Sequence, residues 1–157
     1  QGAYPREHAA ERIRAAAAAA RAVAGDFVLV ARADGVMTGA YDLEEAIARI
    51  VLFEKAGADC VYVPLPGDAA ALERVVRAVS VPVNALAAGP LAALSRADFA
   101  RIGVARISLG SALARMTHRV LHDAARAMLG EGAFDRFPVI AGSEIDRLLA
   151  AGAAPKE

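Results

Sequence analysis

One cysteine, Cys60, in 157 residues excludes an internal disulfide and fits a reducing compartment such as the cytoplasm. An excess of charge of either sign is missing too, since 18 lysines and arginines balance 18 aspartates and glutamates. That balance leaves no electrostatic footprint for nucleic acid or an anionic membrane. Long apolar runs are also missing. The longest, Ala15–Ala20, is far too short to span a bilayer and is bracketed by Arg14 and Arg21. No signal peptide and no exact internal repeat are visible. The chain begins at Gln1 rather than methionine, which points to processing, truncation or an unobserved N-terminal part.

What is there amounts to one domain's length, residues 1–157, enough for a sizeable core. The hydrophobic share of 57% is inflated by alanine, which favours tightly packed helices. The stretch that organises the rest is Phe27–Asp34. Val28, Val30, Arg32 and Asp34 share one face at strand spacing, and Phe27, Leu29, Ala31 and Ala33 share the other. Both faces are apolar until the C-terminal end, as in a parallel strand covered on both sides. In α/β folds that end is where sites are built. A buried arginine is costly unless an anion meets it. Arg32 therefore pairs with an internal carboxylate, Asp34 being the nearest, or waits for an anionic ligand. The strand-end position favours the ligand.

Four strand–helix units follow a lead-in helix over Glu7–Ala24, in which His8 reads as a solvated residue. Strands are predicted at Phe27–Arg32, Cys60–Val63, Val81–Leu86 and Ala105–Leu109. Gly35–Tyr41 reads as a loop. Asp42 and Glu45 have capping-box spacing for a helix to Ala56, with Leu43, Ile47, Ile50 and Val51 as its buried stripe. Asp68 caps a helix through Ser80, and Ser95 one that Gly103 closes, with Asp98 at its third position. Ser111–Leu129 is the longest predicted helix, and its free backbone amides could hold an anion. Residues Gly130–Gly142 read as irregular, a last helix runs from Ser143 to near Ala151, and the tail Gly152–Glu157 reads as disordered.

Few side chains carry candidate chemistry. Asn84 is a hydrogen-bonding group in an otherwise apolar strand and needs partners; orienting a ligand and fixing a loop both suit it, the ligand being preferred. Cys60 reads as a small packing residue rather than a catalytic thiol. His118 and His122 are four apart on one helix, a two-ligand metal spacing. No glutamate directly follows His118, so the helical zinc-protease pattern fails and a solvated face is expected. Alternating β and α at this spacing argues a parallel sheet with right-handed crossovers.

The runs Phe27–Gly35, Glu54–Cys60, Pro82-Val83-Asn84 and Ile107–Leu113 occur in an order that resembles the C-terminal half of the isocitrate lyase and phosphoenolpyruvate mutase superfamily. That group includes 2-methylisocitrate lyase-like and carboxyvinyl-carboxyphosphonate phosphorylmutase-like members. Glu7–Ile13 resembles the helix before the family's fifth strand. The resemblance extends from Pro5 to about Phe134. It implies a (β/α)8 barrel of the TIM type, of which residues 26–130 supply four βα units after a lead-in helix in 1–25, with 131–157 a C-terminal helical extension. It implies a lyase cleaving a C–C bond in a small 2-oxo or 2-hydroxy (di)carboxylate through an enolate, with P–C mutase or hydrolase chemistry as the alternative. A non-catalytic oligomerising fragment is a further alternative.

On that resemblance Arg32 is the catalytic and substrate-binding anion anchor. Asn84 is a second substrate contact, Ser108 a weaker third, and Asp34 an orienting group. Mg2+ is the implied cofactor. Its acidic ligands lie on strands before Arg32, in an N-terminal half this sequence does not contain, so no metal ligand is assigned here. The lyases' Lys-Cys-Gly-His loop is likewise without a counterpart, and Val63-Pro64-Leu65 stands where several lyases carry a glutamate. The implied partners are a small carboxylate or phosphonate and further copies of the chain. The resemblance implies a dimer of dimers joined through the C-terminal helices. Neither nucleic acid nor membrane is an expected partner.

Overall fold

The computed structural model describes residues 2–135 and 137–153, and the chain forms two compact units, Gln1–Gly110 and Ser111–Glu157. In the first unit, α1 (Arg6–Ala22) leads into four strands, the first three each followed by a helix. The strands are β1 (Val30–Arg32), β2 (Cys60–Tyr62), β3 (Val83–Leu86) and β4 (Arg106–Ser108). They lie side by side in sequence order, and every neighbouring pair is parallel. The predicted parallel architecture is therefore present, with Phe27–Arg32 and Cys60–Val63 supplying adjacent strands.

Alternation across the pleat divides the sheet into two faces. Ala31, Ala33, Val61, Val63 and Val83 point to one side. There they meet Ala46, Ile50 and Phe53 of α3 (Leu43–Lys55) and Val75 of α4 (Ala69–Arg77). Further along, Ala85 packs with Leu72, Leu91 and Phe99, the last from α5 (Arg96–Ile102). These two clusters are the core. The opposite face carries Arg32, Tyr62, Asn84 and Arg106 in one row, because register pairs Arg32 with Tyr62, Tyr62 with Asn84, and Asn84 with Arg106.

The first strand is shorter than its apolar run. Phe27 and Val28 are exposed, not covered on both sides. Leu29 is drawn to the Asp59 turn instead: its N–H donates to Asp59 Oδ2 at 2.8 Å, and its carbonyl accepts from Asp59 and Cys60. Pairing with β2 begins at Val30, and among the described residues β1 has no neighbour on its other side. The segment after β1 is also more ordered than a loop. It holds a one-turn helix, α2 (Gly35–Thr38), and a Cβ on Gly35 would collide with the Tyr41 ring.

The helix stops follow from local hydrogen bonds. Asp42 accepts from Glu45 N at 2.9 Å, so the predicted N-cap is present. The Glu45 carboxylate does not return to close a box. It holds Arg6 and also accepts from Arg49 Nε at 2.8 Å. Ser95 and Asp98 do form the full reciprocal box. The fourth helix ends at Arg77, short of Ser80, because the Ser80 and Val81 N–H groups both donate to Glu54 Oε1. The buried side of α3 is Ala46, Arg49, Ile50 and Phe53, whereas Leu43, Ile47 and Val51 are only half-buried. Arg49 is tolerated inside because Glu45, the Tyr4 carbonyl at 2.8 Å and the Tyr41 ring surround it.

Glu45 ties α1 to α3, and its arginine partners hold its carboxyl below the ordinary value of 4.5, the Arg6 hydrogen bond being the largest cause. A depressed carboxyl stabilises the fold fully above its unfolded value and loses that contribution as pH falls through the folded one. Thermal melts of the wild type and Glu45→Gln should therefore differ most near neutral pH. The gap should narrow as pH falls below 4.5. A gap independent of pH would contradict this linkage.

In the second unit, α6 (Ala112–Arg126) runs into a π-helical turn over Ala127–Glu131, so the long helix changes character before Leu129. An irregular stretch leads to α7 (Gly142–Ala153), which includes Gly152 and Ala153 from the predicted tail; residues 154–157 lie outside the described ones. Neither α6 nor α7 has a buried residue. Met116, Leu121, Phe134, Val139, Ile140, Leu148 and Leu149 are exposed. Among the described residues no helix is long and apolar enough to cross a membrane.

Candidate active site

Arg32 closes β1, but it is not buried: its side chain is 46% exposed. Its Nε donates to Asp34 Oδ1, so the internal ion pair weighed from the sequence is formed. Beyond Arg32 the Ala33 N–H still donates to the Tyr62 carbonyl at 2.9 Å, and among the described residues β1 is an outer strand of the sheet. The guanidinium carbon of Arg32 lies 5.2 Å from the centre of the Tyr62 ring, across the β1–β2 pair. Nη2 reaches only Met37 Sδ, at 3.9 Å. A guanidinium has five N–H donors, and one carboxylate oxygen on Nε leaves the terminal nitrogens able to take a second anion. Asp34 thus orients the fork while using one edge of it.

Asn84 is 1% exposed, and both its amide nitrogen and its amide oxygen have partners. Its Nδ2 donates to Ser108 Oγ at 3.0 Å, and its Oδ1 accepts from Arg106 Nη1 at 3.2 Å. Ser108 Oγ donates onward to the Ala85 carbonyl at 3.2 Å. The structure therefore brings Asn84 and Ser108 into contact. It leaves Arg32 two strands from Asn84 on the same face, about 10 Å away at ordinary strand spacing. Arg106 was missed from the sequence. Its signal was its place two residues before Ser108, which puts both on one face of β4.

The other candidates stand apart. Cys60 is buried, burial pushes its thiol up against a smaller opposing pull from the Asn84 backbone, and Sγ lies 3.6 Å from the Val61 carbonyl; it packs, as expected. His8 stands edge-on to Tyr4 and near Glu11 on the exposed side of α1. His118 and His122 are exposed, and His122 Nδ1 lies 3.3 Å from Asp123. Among the described residues no group of three or more His, Cys, Asp or Glu could hold a metal ion. A Mg2+ site needs several oxygen ligands, and the one carboxylate in the Arg32 row region, Asp34, is already paired. The described residues do not make a magnesium site.

A cleft of about 630 Å3 opens beside β1, among α1, α2 and α3. Arg32 and Asp34 line it, together with Tyr4, Arg12, Tyr41 and Arg49. Arg12 lies over the Tyr4 ring at 4.6 Å and Arg49 over Tyr41 at 4.5 Å. Of its three arginines, Arg32 is paired with Asp34 and Arg49 with Glu45. Asn84 and Ser108 are not among its lining residues.

The sequence profile described as phosphoenolpyruvate phosphomutase matches residues 1–129. This chain belongs to the phosphoenolpyruvate phosphomutase family. Solved structures agree with the family fold. A provisionally assigned lyase/mutase of Burkholderia cenocepacia J2315 is 39% identical, with a TM-score of 0.85 over 98% of this chain and 54% of that one. A 2,3-dimethylmalate lyase, described as a member of the PEP mutase/isocitrate lyase superfamily, is 21% identical with a TM-score of 0.77, over 95% of this chain and 53% of the other. A phosphonopyruvate hydrolase in complex with oxalate and Mg++ is 23% identical with a TM-score of 0.71, over 95% and 53%. At those last two identities the likeness is one of fold. The family member described here spans about half the length of each. It supplies four parallel strand–helix units of a TIM-type barrel, as the sequence resemblance implied.

Proposed function

We propose that this chain supplies the anion-binding half of a lyase acting on a small 2-oxo or 2-hydroxy (di)carboxylate, with C–C cleavage through an enolate. The observation that carries the reading is the sheet face opposite the helices. It presents Arg32, Asn84, Arg106 and Ser108 together, two cations and two neutral hydrogen-bonding groups, against the single carboxylate of Asp34. Arg32 is the principal anchor, since its fork matches a carboxylate in two bonds. Asn84, with one amide hydrogen left after Ser108, gives a directed donor where charge develops on an oxygen, and Ser108 holds that amide in place. Mg2+ in such an enzyme would be held by carboxylates that this chain does not provide.

The family profile favours a second reading, P–C bond chemistry on a phosphonate, which the same arginine would bind. The intact protein carrying this chain should be assayed with Mg2+ against oxaloacetate, a panel of 2-hydroxy-diacids and phosphonopyruvate. Turnover of a diacid supports the first reading. Turnover of phosphonopyruvate alone supports the second. Inactivity on all of them counts against both.

The exposed apolar side chains of residues 134–149 suit assembly with further copies of the chain, since contiguous exposed apolar surface marks an interaction site. Removing residues 130–157 should lower the mass seen in light scattering; an unchanged mass would contradict this.

A further inference from the structure

Arg106 has no role in the reading above except charge, yet it contacts the most buried polar group on the sheet. Asn84 is 1% exposed, and its amide could sit in either of two orientations differing by a half-turn. A guanidinium has donors and no acceptor. With Arg106 Nη1 at 3.2 Å, the near atom of Asn84 must be the carbonyl oxygen; the flipped amide would set N–H against N–H. The amide nitrogen then faces Ser108 Oγ at 3.0 Å, and that hydroxyl passes its own proton to the Ala85 carbonyl. Every link runs one way, from Arg106 through Asn84 and Ser108 to backbone. An amide nitrogen has two hydrogens, and Ser108 takes one.

We infer that Arg106 is a positioning residue: it locks the Asn84 carbonyl oxygen, so that the second Asn84 N–H is kept as a donor toward an anionic group held by Arg32. This deepens the proposed function and rests on it. Arg106 does not itself meet the anion at Arg32, because the two lie three strands apart in the same row, about 14 Å at ordinary spacing.

The test uses the chain with oxalate as probe and two variants. Arg106→Lys keeps a cationic donor, whereas Arg106→Met keeps the length and removes it. In NMR spectra, the two side-chain amide protons of Asn84 should be well separated in the wild type and Arg106→Lys. In Arg106→Met they should move toward the positions of a free asparagine. Oxalate affinity should fall about tenfold in Arg106→Met, as for a lost charge-assisted hydrogen bond, and within about threefold of wild type in Arg106→Lys. Unchanged Asn84 signals and affinity in Arg106→Met would overturn the inference, as would equal losses in both variants. A wild type that does not bind oxalate overturns the anion-binding reading instead, and the Asn84 signals still decide the role of Arg106.

Discussion

Arg32→Lys is expected to weaken oxalate binding by about ten- to a hundredfold while leaving the thermal midpoint nearly unchanged. Lysine keeps the charge and loses the planar pair of donors. It also loses the division of labour seen at the end of β1, where Nε serves Asp34 and the terminal nitrogens stay open. A lysine ammonium beside Asp34 would be held as a point charge, and the anion would have to compete for it. The fold should scarcely notice, because an exposed ion pair contributes at most about 1 kcal/mol. Titration calorimetry with oxalate and a melt of the same samples separate the two effects. Equal affinity in wild type and variant would remove Arg32 as the anchor. A large drop in midpoint would make it a structural residue.

Phe99→Ala should be the most damaging of the simple core truncations in the first unit, costing about 3–5 kcal/mol. Phe99 is 1% exposed and is the largest side chain in the cluster with Leu72, Ala85 and Leu91. That cluster is small, so few neighbours can move in to fill the space. Its helix, α5, is only seven residues long and depends on docking despite its complete capping box. Urea unfolding followed by far-ultraviolet circular dichroism measures the change. A loss under about 1 kcal/mol would show that the cluster collapses around the vacancy, contrary to a close-packed interior.

Period and punctuation made the fold legible. The four strands, the caps at Asp42, Asp68 and Ser95, and the stop at Gly103 all fall within the stretches the sequence assigns to them. What pattern could not show was how far each strand pairs. Phe27 and Val28 look like strand interior by hydrophobicity, but a residue joins a sheet only where a neighbour meets it, and among the described residues β1 has a neighbour on one side alone. The inside of α3 was hidden for a related reason: the apolar stripe omits Arg49, whose burial rests on Glu45 and on Tyr4 and Tyr41, which the fold brings against it.

The site was legible where a polar residue broke an apolar strand. Asn84 and Ser108 were visible that way and are in contact. Arg32 was visible as well, with Asp34 as its internal partner, but not its exposure of 46%. Arg106 escaped because an arginine at a strand's first residue looks like a solvated flank; only the register beside Asn84 gives it meaning.

The central claim is that the polar face of the sheet binds a small carboxylate through Arg32 and Asn84. Mapping oxalate onto the chain by NMR tests it most directly. The terminal guanidinium N–H groups of Arg32 and the Asn84 side-chain amide should shift most, in a saturable manner. Shifts confined to Arg12 and Arg49 in the neighbouring cleft, with Asn84 unmoved, would contradict it.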